Sequence, residues 1–375
     1  MRILVLGFTG YLGTHVVEGL RALPGALVLG GGRAPTADHA VDLATVCPAE
    51  LAKTLASAAP DTVVNCAGAT GGDPVTLAEV NARGPAVLCA ALREAAPGAR
   101  LVHLGSAAEY GPGVQDVRVT EAAATRPLAP YGATKLAGTV AVTTSGLDAV
   151  VLRVGNPVGP GAPPTSLPGR IAALLRTAGR DPEAVLPLGD LSAYRDFVDV
   201  RDVTRAVVLA ATAPGPLPPV LNISGGHAVP VREMVHLLTD KAGFRGRITE
   251  NATGARASAT RASDARASED GGTGGGAGPD AVAAGRGAGG ARAGGSVRSA
   301  EVSWQCSDVT AAEAALGWRP AHSLDDALTA LWESGGGGGG HKDVGVPNGG
   351  GQHRAVGEPE RAGERGGGEK GVRTP

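Results

Sequence analysis

Residues 2 to 13 read Arg2-Ile-Leu-Val-Leu-Gly7-Phe-Thr-Gly10-Tyr-Leu-Gly13. The apolar run from residue 2 to 6 suits a short strand covered on both faces. Val16, Val17, Leu20 and Leu23 then recur at helical spacing. Strand, glycine turn and helix in that order form the setting in which a glycine triplet binds a dinucleotide. The glycines permit a tight turn and a close backbone approach, and the pyrophosphate charge sits at the helix N-terminus. Gly7, Thr9, Gly10, Tyr11, Leu12 and Gly13 are thus candidate cofactor contacts.

Downstream, Ala26-Leu-Val-Leu29 predicts a second strand running into Gly30-Gly-Gly32-Arg33. An NAD-binding chain usually carries a carboxylate here for the ribose hydroxyls. None is present, and Arg33 beside a glycine leaves room and charge for a 2'-phosphate. NADP(H) is therefore the expected cofactor, with NAD(H) as the alternative. Ala40-Val-Asp42-Leu43 reads as a third strand edge, with Asp42 available to the adenine amine. Thr62-Val-Val-Asn65-Cys66-Ala67-Gly68 is another strand ending in glycine, and Asn81 opens a helical pattern through Val87, Leu88, Ala91 and Leu92. The strand from Arg100 carries Ser106 at its carboxyl end, where ligands of open parallel sheets collect; His103 inside it reads as a core histidine. Ala149 to Val154 is a further strand and Asn156-Pro-Val-Gly159-Pro-Gly161 a tight loop.

Alternating strands and helices imply right-handed crossovers and an α/β fold, a Rossmann-type doubly wound parallel sheet. Beyond residue 160 the pattern predicts a smaller interleaved α/β lobe. It holds a helix near 168–178, the segment Tyr194 to Asp202, a strand at Val220 to Ile223 and amphipathic helices at 231–238 and 323–332. The expected division is a dinucleotide-binding domain over 1–155, with a contribution from about 196–225, and a substrate lobe over 156–334. Residues 251–300 are dominated by Gly, Ala, Arg and Ser, and 335–375 by glycine and polar residues. Such stretches bury too little apolar surface to offset ordering entropy, so both are expected to be disordered.

The chemistry centres on Leu128-Ala-Pro-Tyr131-Gly-Ala-Thr-Lys135. Residues four apart share a helical face, which sets the Lys135 ammonium beside the Tyr131 phenol. A free phenol titrates at about 10, and a nearby cation favours its charged form, so Tyr131 is suited to act as a general acid. The net charge of -2 in 375 residues offers no footprint for nucleic acid. Four scattered cysteines without a C-x-x-C pair argue against a zinc site or a disulfide framework. The first apolar run is too short for a signal peptide, and no later run approaches a membrane span. A soluble cytoplasmic protein with no metal, membrane or nucleic-acid partner is expected.

Taken together, these residues resemble the extended branch of the short-chain dehydrogenase/reductases, the NAD-dependent epimerase/dehydratase family that works on nucleotide sugars. The likeness covers roughly 1–250 and 301–333. It rests on Gly7/Gly10/Gly13, Asp42-Leu43, Asn65-Cys-Ala-Gly68, Asn81, Ser106 four before Tyr110-Gly111, Tyr131/Lys135, Asn156-Pro157, Arg195-Asp-Phe-Val and Leu316-Gly-Trp318-Arg-Pro320. The resemblance implies that Ser106 holds the substrate oxygen, that Tyr131 transfers the proton, and that Lys135 binds the nicotinamide ribose and tunes Tyr131. It adds Leu43, Cys66, Ala67, Gly68 and Asn81 to the cofactor set and gives Asn156 and Arg195 to the sugar nucleotide's diphosphate. Dehydrating members carry an Asp-Glu pair directly after the serine, where this chain has Ala107 and Ala108; members that epimerise at carbons 3 and 5 carry a nearby Cys, also missing. What remains is reduction of a nucleotide-linked 4-keto-6-deoxyhexose in deoxysugar or antibiotic biosynthesis, with another secondary-metabolite ketone as a second substrate class. The alternatives are a 4-epimerase with retained NAD and, from another class, a non-catalytic dinucleotide sensor. A homodimer is compatible with the resemblance.

Overall fold

The computed structural model describes residues 1–250 and 303–335. The expectations for 251–300 and for the tail lie outside the described residues, apart from Gly335 at the end of the last helix. Seven parallel strands form the main sheet: β1 (Arg2–Leu6), β2 (Leu27–Gly32), β3 (His39–Ala40), β4 (Thr62–Asn65), β5 (Arg100–Ser106), β6 (Ala149–Val154) and β10 (Val220–Ile223). Their order is β3-β2-β1-β4-β5-β6-β10. The chain winds outward from β1 to β3 and then restarts at β4 on the other side of β1. Between β1 and β4 the strand order reverses, and the crevice at their carboxyl ends is where such sheets bind ligands.

Burial follows the two-residue period of the strands. Ile3 and Val5 face α1 (Tyr11–Arg21) and α7 (Val200–Thr212), whereas Leu4 and Leu6 face α2 (Pro48–Ala58) and α4 (Gly84–Ala95). α5 (Pro130–Thr143) joins the second layer through Val142, and α9 (Thr310–Leu316) joins the first through Ala312. Trp318, fully buried, seals that first layer and donates from its indole nitrogen to the Asp202 carbonyl at 2.9 Å.

The smaller lobe holds two further sheets. In one, β9 (Tyr194–Asp199) pairs in parallel with β7 (Asn156–Val158) and antiparallel with β11 (Ala228–Pro230). In the other, β8 (Val185–Leu188) pairs with β12 (Arg247–Glu250). α6 (Leu167–Ala178), α8 (Val231–Ala242) and α10 (Leu324–Ser334) pack a separate core around Ile171, Leu175, Met234, Leu238 and Leu328. Among the described residues no helix is long and apolar enough to cross a membrane.

Several local expectations are corrected. β2 continues through the glycines to Gly32 because Gly30 and Gly31 pair with β1 and Gly31 and Gly32 with β3, and the Phe8 ring lies 2.9 Å from where a Cβ on Gly30 would stand. β3 is only two residues long, and Asp42 lies beyond it, its carboxylate accepting the Ala44 N–H at 3.0 Å within its own turn. Asn156–Val158 is a strand rather than a loop, because β9 supplies a partner that a local pattern cannot reveal. Asn81 does not open a helix: it sits in the π-helical turn Glu79–Arg83, which joins α3 (Pro74–Ala78) to α4.

Candidate active site

The glycine turn is built so that two of its residues admit no side chain. Gly7 has φ +75°, and a Cβ on it would lie 2.6 Å from the Ala67 nitrogen. A Cβ on Gly13 would lie 2.1 Å from the Gly7 carbonyl oxygen, so α1 rests directly on the turn. No acidic residue occupies the first turn of α1, and no side chain caps it. Its N–H groups and positive dipole end suit an anion such as a pyrophosphate.

The loop after β4 is fastened from both sides. Asn65 accepts the Ala67 N–H at 3.1 Å, while Asn81 accepts the Ala69 N–H at 2.9 Å and donates to the Ala69 carbonyl at 2.8 Å. Asn81 is fully buried behind this loop and acts on its shape. The Asn65 amide donates to His103 Nδ1 at 3.1 Å, which assigns the ring proton to Nε2. Burial, and secondarily the Lys135 cation, hold the His103 pKa well below its ordinary value.

Beyond this loop, a cavity of about 260 Å³ is lined by Gly10–Leu12, Cys66–Thr70, Leu104–Ser106, Tyr131, Lys135 and Gln305, among others. Ser106, Tyr131 and Lys135 therefore meet in one cavity at the carboxyl end of β5. Tyr131 and Lys135 are both buried on the same side of α5. Lys135 Nζ donates to the Leu104 carbonyl at 2.5 Å, which fixes the ammonium against the strand that carries Ser106. Ser106 ends β5 and caps the short 3-10 turn Ala107–Tyr110, its Oγ accepting the Ala108 N–H at 3.2 Å. A hydroxyl that accepts from the backbone keeps its own proton to donate elsewhere. Burial pushes the Cys66 thiol up to about 12, with Lys135 opposing. No carboxylate or imidazole lines the cavity among the described residues, and Ala108 presents a methyl to it. Phenol, ammonium and hydroxyl are left to move or hold protons. No group of three or more His, Cys, Asp or Glu able to hold a metal is found among the described residues.

A second cavity of about 230 Å³ shares Tyr11, Asn156, Pro157 and Pro163 with the first and extends between α6 and β9. Arg195 lines it, nearly buried, with Nη1 donating to the Tyr194 carbonyl at 2.8 Å. Burial lowers the Arg195 pKa to about 10, which still leaves a cation at neutral pH. Asn156 Nδ2 donates to the Asp196 carbonyl at 3.0 Å and to Gln305 Oε1 at 2.9 Å.

The sequence-derived candidates divide accordingly. Gly10, Tyr11, Leu12, Cys66, Ala67, Gly68, Ser106, Tyr131, Lys135 and Asn156 line the first cavity, and Arg195 the second. Gly7, Thr9, Gly13 and Asn81 stand outside the lining; Gly7, Gly13 and Asn81 shape the surrounding turn and loop. Arg33, exposed after β2, and Asp42 and Leu43 line neither cavity, and Leu43 points its side chain into the core. Gln305, Glu109 and Arg153 went unrecognised. Gln305 lies 149 residues from the asparagine it meets, and Glu109 and Arg153 are charged residues whose pairing only the fold creates.

The model of the NAD dependent epimerase/dehydratase family matches residues 3–224. This chain belongs to that family. Among its relatives, dTDP-6-deoxy-L-talose 4-dehydrogenase (NAD(P)(+)) of Kitasatospora kifunensis is 37% identical over 346 residues, covering 88% of this chain and 94% of the relative. GDP-6-deoxy-D-mannose reductase of Pseudomonas aeruginosa is 29% identical over 257 residues, 64% of this chain and 80% of the relative. Among solved structures, RMD from Pseudomonas aeruginosa complexed with NADPH superposes with a TM-score of 0.68 at 23% identity, over 89% of this chain and 98% of that one, and shows the shared fold. MoeE5 in complex with UDP-glucuronic acid and NAD gives a TM-score of 0.67 at 25% identity, over 89% of this chain and 99% of that one. The doubly wound sheet and interleaved lobe of this epimerase/dehydratase family member are thus those of its relatives.

Proposed function

We propose that this chain is an NADPH-dependent reductase of a nucleotide-linked 4-keto-6-deoxyhexose, working in the cytoplasm. The observation that carries this reading is the meeting of Ser106, Tyr131 and Lys135 in one cavity that shares lining residues with a second holding Arg195. The names of the two relatives, a 4-dehydrogenase and a reductase of nucleotide-linked 6-deoxy sugars, support the substrate class.

A dinucleotide fits the residues present. The turn is packed so closely that Gly7 and Gly13 admit no Cβ, which keeps its backbone bare; the first turn of α1 is free of acids, and residues from Gly10 to Tyr131 line the first cavity. Gly10, Tyr11, Leu12, Cys66, Ala67, Gly68 and Lys135 would hold it. When bound, its reduced nicotinamide supplies the hydride that a carbonyl reduction consumes. The Ser106 hydroxyl, whose oxygen already accepts the Ala108 N–H, donates its proton toward the substrate carbonyl oxygen and holds that oxygen in place. Tyr131 gives its phenolic proton to the same oxygen as negative charge develops there. Lys135, tied to the Leu104 carbonyl, keeps its remaining N–H donors for the cofactor ribose and the phenol side. Arg195 faces the diphosphate with a charge that burial keeps poorly hydrated and so receptive to an anion. With Ala107 and Ala108 after Ser106, the site has no acid and base for elimination, which leaves dehydration out.

The test is to incubate the purified protein with dTDP- and GDP-linked 4-keto-6-deoxyhexoses and each reduced cofactor, following loss of reduced-nicotinamide absorbance. Turnover that prefers NADPH supports the reading. Tightly held NAD that co-purifies, with sugar interconversion and no added cofactor, would replace it with a 4-epimerase.

A further inference from the structure

We propose that Glu109 and Arg153 form a buried positioning pair that aims the Ser106 hydroxyl, an inference that rests on the role given to Ser106 above. Glu109 is fully buried, and its two carboxylate oxygens have different tasks. Oε1 accepts the Ser106 N–H at 2.8 Å, and Oε2 accepts Arg153 Nε at 2.8 Å. The first bond and the Ser106 cap of the same turn are reciprocal, a capping box in a turn of only four residues. Ser106 is thereby held at both its backbone nitrogen and its side-chain oxygen, leaving the hydroxyl proton as its one uncommitted donor.

The surroundings are built to admit the pair. A Cβ on Gly105 would lie 2.7 Å from Glu109 Oε1 and 2.7 Å from a Val151 methyl, so the glycine before Ser106 makes room for the carboxylate. Arg153, at the carboxyl end of β6, packs its guanidinium over the Tyr110 ring at 4.6 Å. The Tyr110 hydroxyl in turn donates to Asn222 Oδ1 at 2.8 Å, and Asn222 Nδ2 reaches the carbonyls of Val119 and Asp308 at 3.0 Å each. The turn after Ser106 is tied in this way to three neighbouring segments. A buried ion pair can often be exchanged for apolar residues without loss of stability, so its presence beside the donor points to orientation rather than to stability.

The test is a series of variants measured in two backgrounds. E109M/R153M removes both charges and the acceptor for the Ser106 N–H; E109Q/R153M removes both charges and keeps an acceptor. With Ser106 intact, kcat should fall in the order wild type, E109Q/R153M, E109M/R153M, the last by about ten- to a hundredfold, less than the roughly 10² to 10³-fold cost of removing a donor to a developing oxyanion outright, because the hydroxyl is misaimed and not lost. NADPH affinity should stay within about twofold of wild type. In the Ser106→Ala background the same series should be flat, since nothing remains to be aimed. Wild-type kcat in E109M/R153M, or an equal fall in both backgrounds, would overturn the proposal. If E109M/R153M does not fold, E109Q/R153M decides alone: unchanged kcat with Ser106 intact overturns it. Wild-type turnover of a sugar nucleotide is the control, because its failure removes the functional reading itself, whereas turnover with a flat series removes only the positioning role.

Discussion

Introducing a carboxylate at residue 32 should exchange the cofactor preference. Gly32 closes β2, and a Cβ there would meet the Phe8 ring at 3.5 and 3.6 Å, ordinary contact distances, so Gly32→Asp should fold. Gly30 would be a poor choice, since the same ring would stand 2.9 Å from its Cβ. An acid at the end of the second strand is where this fold holds the ribose hydroxyls of NAD. Two unit charges about 5 Å apart interact by about 3 kcal/mol at an effective dielectric of about 20. Solvent at this half-exposed edge reduces that to about 1–2 kcal/mol, or roughly five- to thirtyfold in affinity against the 2'-phosphate. Fluorescence titration of the same preparation with NADPH and NADH should therefore show a weaker NADPH constant and an unchanged or tighter NADH constant. Equal NADPH affinity in the variant and the wild type would refute the placement of the 2'-phosphate at this edge.

Three further outcomes are expected. Tyr131→Phe should lower kcat by about 10² to 10⁴-fold, the usual worth of general acid catalysis, with NADPH affinity nearly unchanged in a parallel titration. Arg195→Ala should weaken binding of a nucleoside diphosphate about ten- to a hundredfold in calorimetry, the worth of a hydrogen bond to a charged group, while leaving NADPH binding alone. Burial raises the Asp196 carboxyl to about 6, against the hydrogen bond its Oδ2 accepts from the Ser307 N–H. Its folded pKa lies above its unfolded one, so its contribution, about 3 kcal/mol, is complete below about pH 4 and lost as pH rises through about 6. Unfolding curves across that range should show wild type losing stability relative to Asp196→Asn as pH rises, and parallel curves would contradict the shift.

Local chemistry made much of this site readable. The glycine turn, the Tyr131 and Lys135 spacing and the strand ending at Ser106 each declare themselves within a dozen residues, because a tight turn, a helical face and a strand end are short-range structures. The reading failed where a partner comes from far along the chain. Asn156–Val158 became a strand only because β9 lies beside it, and Gln305 reached the cavity on a segment whose backbone bonds to residues 113 and 119. Glu109 went unrecognised because its partner, Arg153, stands 44 residues further along the chain on β6. The run of glycines at 30–32 was read as an opening for a phosphate, and the structure adds a second cause: the Phe8 ring occupies the space above Gly30 and a Leu6 methyl that beside Gly31.

Reduction of a sugar carbonyl with proton transfer from Tyr131 can be followed by tracing hydrogen. NADPH carrying deuterium on the transferring face of its nicotinamide is mixed with a 4-keto-6-deoxyhexose nucleotide and the wild-type protein, and the product is examined by mass spectrometry and NMR. One deuterium at sugar carbon 4 for each NADPH oxidised, with loss of this transfer in Tyr131→Phe, is the predicted result. Product without deuterium, formed while NADPH stays reduced, would contradict it.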